Sequence, residues 1–226
     1  HQVSPFGARG ANTGVQDIDN LGWKLKLVMD GRAPLALIDS YDEERAFAAD
    51  DNLLNSTRST ALISPKTEMS RRYRNAVLEL SQDHAFARPL VNSGRLSTPT
   101  PYLNSSLNTP DESSFAGLMK PGTNCADAPV TVAGREGWFL NQIGQGFTVV
   151  VFGDKPAQSE IAWNGVKAVV KTVGVDFADP RGVLAARYDG RYGAVYLIRP
   201  DQHVAARWRG FDAAKIERAI ARACAA

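Results

Sequence analysis

Five prolines set among Ser, Asn and Thr break this chain into two parts of different texture. Pro99, Pro101, Pro110, Pro121 and Pro129 lie in or at the edge of residues 95–128. Proline fixes φ and carries no backbone N–H, so such a stretch cannot build a helix or a central strand. It is expected to be an extended connector lying on the surface. Before it, apolar residues recur at helical spacing. After it, short runs of β-formers dominate. The expected organisation is therefore 1–94, mostly helical; 95–128, connector; and 129–226, an α/β domain.

In the first part, Thr13-Gly14-Val15-Gln16 reads as a capping box with Thr13 as N-cap. Val15, Ile18, Leu21, Leu25 and Val28 then follow on one helical face, and Gly31 is placed to end the helix in a left-handed turn. Ser40 and Glu43 form a second capping box, for a helix running to about Thr57. Met69, Tyr73, Val77 and Leu80 share a face between Pro65 and Pro89.

In the last part, Trp138-Phe139-Leu140 reads as a short strand and Phe147 to Phe152 as another, closed by Gly153-Asp154. Residues 159–164 are expected to form a short helix, and Val166 to Val173 a strand. Pro180 suits a first helical turn ahead of Val183, Leu184 and Arg187. Ala194 to Ile198 and Val204 to Trp208 should pair across Pro200-Asp201-Gln202. Asp212 then caps a final helix with Ile216, Ala219, Ile220 and Ala223 on one face. A crossover between the first two main strands makes them parallel, and the last two strands form an antiparallel hairpin. That is the element order of a thioredoxin-like fold.

Composition removes several classes of function. Apolar residues make up 44% of the 226, enough for a buried core. The net charge is only +2, with no basic block, so nucleic acid is not an expected partner. No apolar run reaches the roughly 18 residues that cross a bilayer. Cys125 and Cys224 are too few and too far apart for a disulfide framework or a zinc site, which fits a reducing, cytoplasmic setting. The sequons at Asn55 and Asn104 are read as chance. The first residue is His1 with no leader pattern after it, so either something upstream was removed or the chain is a fragment of a longer gene product.

Few side chains suggest catalysis. His84 and His203 stand apart from any ligand cluster, and His203 is expected at the surface or as a cap. Arg71-Arg72-Tyr73-Arg74 reads as a solvated helix face. After the strand at 147–152 the chain reads Gly153-Asp154-Lys155-Pro156, with no Cys-x-x-Cys, so disulfide exchange is not expected of this domain.

The informative stretch is the first 25 residues. A loop bearing Pro5, Gly7 and Gly10 feeds a helix N-terminus, where free N–H groups and a partial positive charge suit an anion or a polarised carbonyl. Gly7 and Gly10 let the backbone approach a flat ligand. Pro5, Gly7, Gly10, Asn12, Gly14, Asp17, Asn20-Leu21 and Trp23-Lys24-Leu25 together resemble the segment following the Gly-Asp motif of class A flavoprotein monooxygenases. These are the phenol, hydroxybenzoate and 3-(3-hydroxyphenyl)propionate hydroxylases. The resemblance continues through Tyr41-Asp42-Glu43-Glu44-Arg45, Ser93-Gly94-Arg95-Leu96-Ser97, Gly137-Trp138, Gly146-Phe147-Thr148 and Arg199-Pro200-Asp201.

The resemblance implies an α/β architecture: a helical remnant of the FAD and substrate regions, then a thioredoxin-like domain. It implies FAD as cofactor, NAD(P)H as co-substrate, and O₂ with a phenolic or other aromatic substrate. Pro5 and Gly7 would lie beside the isoalloxazine ring. Gly10, Ala11 and Asn12 would offer backbone N–H groups to its N1/C2-carbonyl edge. No residue of this chain is expected to be catalytic and none to hold a metal. Asp17, Asn20 and Trp23 are expected to pack the helix rather than touch a ligand. The fragment alone is expected to bind FAD weakly or not at all, and to be inactive. The alternative is a non-enzymatic, thioredoxin-like module for homodimerisation or interaction.

Overall fold

A computed structural model describes residue 1 and residues 9–91, 98–190 and 193–226. The chain forms two compact units: residues 1–18 with 45–100, and residues 19–44 with 101–226. This division differs from the 1–94, 95–128 and 129–226 partition. The chain passes between units twice inside long helices, α1 (Arg9–Met29) and α2 (Ala36–Ile63), and once in the proline-rich segment, between Thr100 and Pro101.

Both long helices start earlier than their apparent caps. Thr13 and Ser40 are helix-interior residues, not N-caps. The Ser40 hydroxyl donates back to the Leu37 carbonyl (2.6 Å), the local bond that a serine inside a helix makes. Pro34 pre-sets the entry to α2, and its carbonyl accepts from the Leu37 N–H. Helix α1 ends as expected, with Gly31 at φ +68° and its N–H on the Val28 carbonyl. Its faces are a larger surprise. Thr13, Asp17, Asn20 and Lys24 are buried, whereas Val15, Ile18, Leu25 and Met29 are exposed.

The unit of 1–18 and 45–100 adds α3 (Glu68–Asp83) and the short α4 (Arg88–Val91). The Thr67 hydroxyl caps α3 by accepting from Ser70 N–H (3.1 Å). Of the apolar face read from the sequence, only Val77 is buried; Met69, Tyr73 and Leu80 face solvent.

The unit of 19–44 and 101–226 carries the sheet. A hairpin of β1 (Pro129–Val132) and β2 (Arg135–Trp138) stands apart. Trp138 ends β2 and stays exposed, while Phe139–Gln142 turn into a 3₁₀ helix in place of the expected strand. The main sheet runs β4-β5-β3-β6-β7, with β3 (Phe147–Val151), β4 (Glu160–Trp163), β5 (Val166–Thr172), β6 (Val195–Ile198) and β7 (Val204–Trp208). As expected, β3 pairs parallel with β5, and β6 and β7 form an antiparallel hairpin.

Strand β4 replaces the helix expected over 159–164. Asn164 and Gly165 both have positive φ (44° and 74°) and make the two-residue turn whose twist matches an antiparallel hairpin with β5.

Alternate residues of β3 supply two cores. Phe147, Val149 and Val151 face one side with Val195, Leu197 and the apolar face of α6 (Ala213–Ala223). Val150 faces the other, with Tyr196, Ile198, Phe139 and Leu184 of α5 (Val183–Arg187). A strand buried on both faces reads as the continuous apolar run seen at 147–151. Asp212 caps α6 through the Lys215 N–H (3.1 Å), as read from the sequence.

Residues 101–128 contain no helix or strand, as expected, but they do not merely lie on the surface. Tyr102, Leu107, Cys125 and Ala128 are buried. Backbone N–H groups of Thr109 and Gly122 donate to carbonyls of Ala205 and Val204, so the segment covers the open edge of β7.

Candidate functional site at the start of α1

The first turn of α1 holds Gly10, Ala11 and Asn12; Pro5 and Gly7 lie outside the described residues. An α-helix leaves the amides of its first turn without partners inside the helix. Ala11 and Asn12 are exposed and Gly10 half-exposed, and no acidic side chain sits in this turn to offset its partial positive charge. A helix terminus with no acidic side chain in its first turn suits an electron-rich group.

The turn that follows is held by Arg45 of α2, almost fully buried. Its Nε donates to Asp17 Oδ1 (2.6 Å), one Nη to the Thr13 carbonyl (3.3 Å) and the other to Gln16 Oε1 (3.5 Å). Asn52 Nδ2 reaches the Thr13 hydroxyl (3.5 Å). Asp17 is therefore a packing residue, as expected of it, and one that holds the second turn of α1 against α2.

Farther along α1, in the other unit, the sequence reading missed a buried ion network. Glu44 accepts both Nη groups of Arg199 (2.6 and 2.9 Å), the Lys24 ammonium (2.8 Å), Asn20 Nδ2 (2.8 Å) and the Ser105 hydroxyl (2.6 Å). Arg199 also donates from Nε and Nη to Asp201 (3.0 and 2.6 Å). The side chains of Lys24, Glu44 and Arg199 are fully buried, and the four charges balance.

Although burial opposes the charge, Arg199 holds Glu44 and Asp201 well below the usual carboxylate range; Lys24 helps at Glu44 and His203 at Asp201. Burial pulls the Lys24 ammonium down to about 8, against the pull of Glu44. The Arg199 guanidinium lies 5.3 Å from the Trp23 ring centre, and that ring meets Phe147 edge-on at 5.6 Å. Trp23 thus packs on the sheet core as expected.

His203 is not at the surface. It is buried, with Nδ1 on the Asp201 carbonyl (2.8 Å), Nε2 against Asn124 Nδ2 (2.9 Å) and its ring stacked on Tyr102 at 4.6 Å. A signal for the network was present. Asn20, Lys24, Glu44, Arg199 and Asp201 all sit inside motif segments already singled out, as polar residues in otherwise periodic apolar elements.

Elsewhere the chemistry is quiet. Burial pushes the thiols of Cys125 and Cys224 up to about 12, so neither is a ready nucleophile. Among the described residues no group of three His, Cys, Asp or Glu side chains could hold a metal, and no helix is long and apolar enough to cross a membrane. Arg72 pairs with Glu68 on the exposed face of α3, the solvated face read from the sequence.

Comparison with known proteins adds a family to this geometry. Residues 1–56 match the FAD binding domain family model. A 4-methyl-5-nitrocatechol 5-monooxygenase of Burkholderia sp is 29% identical over 95% of the chain, and a 6-methylpretetramide 4-monooxygenase of Streptomyces rimosus is 31% identical over 92%. The chain resembles the class A flavin-dependent aromatic monooxygenases. It spans about two-fifths of the length of these relatives, 39% and 40%. The fold agrees with that resemblance. The crystal structure of aklavinone-11 hydroxylase with FAD and aklavinone superposes with a TM-score of 0.75, at 23% identity, over 99% of this chain and 42% of that one. The flavin-dependent monooxygenase PieE, in complex with FAD and substrate, gives 0.73 at 22% identity, over 100% and 46%.

Proposed function

We propose that this chain belongs to a flavin-dependent monooxygenase that hydroxylates a phenolic or related aromatic compound, using NAD(P)H and O₂. In this reading, bound FAD supplies the activation of O₂ and the oxygen transfer. The chain's own part is to hold and polarise. The amides of Gly10, Ala11 and Asn12 would be offered to the N1/C2-carbonyl edge of the ring, where negative charge accumulates on reduction. The resemblance would put Pro5 and Gly7, which lie outside the described residues, beside the ring. Arg45, through Thr13, Gln16 and Asp17, holds the turn that follows the amides. The observation that carries the reading is the acid-free first turn of α1 within the segment that matches an FAD binding domain.

Residues 1–226 alone should bind FAD weakly or not at all and be inactive, because they contain no Gly-x-Gly-x-x-Gly turn for its ADP half. The thioredoxin-like portion is redox-inactive and serves packing or homodimerisation.

The reading frame upstream of the first codon gives a direct test. A Gly-Asp-Ala immediately upstream, with a dinucleotide fingerprint far upstream, is expected; a nearby start codon contradicts it. The encoded polypeptide should purify yellow, oxidise NAD(P)H when an aromatic substrate is present, and place ¹⁸O from O₂ in the product. A product without ¹⁸O would make the protein an oxidase relative instead.

A further inference from the structure

Two adjoining clefts open along α6, in the unit of 19–44 and 101–226. One, of about 400 Å³, is lined by residues that include Asn104, Ser105, Asn108, Lys120 and Arg222. The other, of about 370 Å³, shares Thr109, Pro110, Asp111 and Arg222 with the first and adds Lys215 and Arg218. Each is in the size range of small-molecule sites.

The charges around the clefts do not cancel. Asp111 is bound to buried Arg207 (2.6 and 2.9 Å), and Glu112 to Lys215 (2.5 Å). Lys120, Arg218 and Arg222 have no carboxylate partner within ion-pair distance among the described residues. Arg222 donates one bond, from Nη1 to the Asn108 carbonyl (3.2 Å), and that contact holds its guanidinium at the wall the clefts share, with its other N–H groups left to donate.

The uncharged groups call for a second kind of contact. Asn108 is 8% exposed; its Nδ2 is spent on the Tyr102 carbonyl (2.7 Å), while its Oδ1 has no partner. The Thr109 hydroxyl is likewise buried without a partner. The Ser105 and Ser106 hydroxyls donate to Glu44 (2.6 Å) and Glu43 (3.0 Å), so toward the cleft they offer only lone pairs. A ligand that satisfied this lining would present acceptor oxygens to the cations and hydroxyl donors to the acceptors. A buried polar atom left unpaired disfavours the empty arrangement.

We propose that the paired clefts bind a small phosphate ester bearing free hydroxyls, with its phosphate at Arg222 and its hydroxyls toward Asn108. Arginine suits this role, because its fork matches phosphate oxygens in a way lysine does not. The site is independent of the flavin reading.

The test is titration of the 226-residue chain with ribose 5-phosphate, inorganic phosphate and ribose, followed by calorimetry and amide NMR shifts. Ribose 5-phosphate should bind saturably, shift amides of residues 104–111 and 218–222, and bind about tenfold tighter than inorganic phosphate. Arg222→Gln should weaken it about tenfold or more. Because Arg222 also touches the Asn108 carbonyl, Lys120→Gln and Arg218→Gln provide variants free of a structural contact; each should weaken binding at unchanged Tm. Lys155→Gln, outside both clefts, should not. Absence of saturable binding overturns the proposal, as does equal weakening by Lys155→Gln. Inorganic phosphate binding as tightly as the sugar phosphate overturns the assignment to an ester.

Discussion

At the scale of single residues, the charges that matter most are the hidden ones. Glu44 meets Arg199, Lys24, Asn20 and Ser105 with no solvent to replace any of them. Removing one partner of a buried pair strands the others, at a cost of about 3–5 kcal/mol. Glu44→Gln and Arg199→Met should therefore each lower the unfolding free energy by about that much, measured by urea titration. A loss within the range of surface pairs, ~0–1 kcal/mol, would show that the network is not closed to water. Gly122 makes a different demand. At φ +89° its missing Cβ would sit 2.3 Å from the carbonyl oxygen of Tyr102, the residue whose N–H donates to the Gly122 carbonyl. Gly122→Ala should cost on the order of 1–3 kcal/mol, read as a fall in Tm. The residues of the ion network were legible as motif positions but not as partners. Sequence distance hides that Glu44 and Arg199 meet, since nothing local ties position 44 to position 199.

At the scale of elements, local signals succeeded where they governed the outcome. Asp212, Gly31 and the run Phe147 to Val151 each set a cap, a stop or a strand by short-range chemistry. They failed where a longer-range demand prevailed. The Thr13 capping box was overridden because α1 continues to Arg9, and the helix turns its polar stripe Thr13, Asp17, Asn20 and Lys24 inward to meet charges on distant segments. Residues 159–164 give a strand instead of the expected helix because Asn164-Gly165 is a two-residue turn that dictates a hairpin. Gly165 at φ +74° tests this reading. Gly165→Ala forces a left-handed residue with a Cβ, so the variant should lose about 1–2 kcal/mol. An unchanged Tm would show that the turn can take another form.

At the scale of the whole molecule, stability should depend on pH with a sign set by the network. Glu44 and Asp201 titrate in the folded protein below their ordinary 4.5 and 3.8. The unfolded chain therefore takes up these protons first as pH falls, and the stability they contribute is present above that range and lost below it. The gap between the wild-type chain and Glu44→Gln should narrow as pH drops under 4.5. Lys24 acts on the alkaline side. Its folded value of about 8 lies below the ordinary 10.5, so the unfolded chain holds the extra proton between them and Lys24's own contribution rises with pH across that window. A Lys24→Met comparison by chemical denaturation checks the slope.

The α/β order and the flavin resemblance were readable at this scale. The partition into units was not, because the chain crosses between them inside continuous helices.

The account depends most on where the first turn of α1 points. A crystal structure of the protein from the complete reading frame, with FAD bound, measures this directly. The Gly10 and Ala11 amide nitrogens should lie within about 3.2 Å of the flavin N1 or C2-carbonyl oxygen. An isoalloxazine ring seated away from residues 9–12 would contradict the assignment.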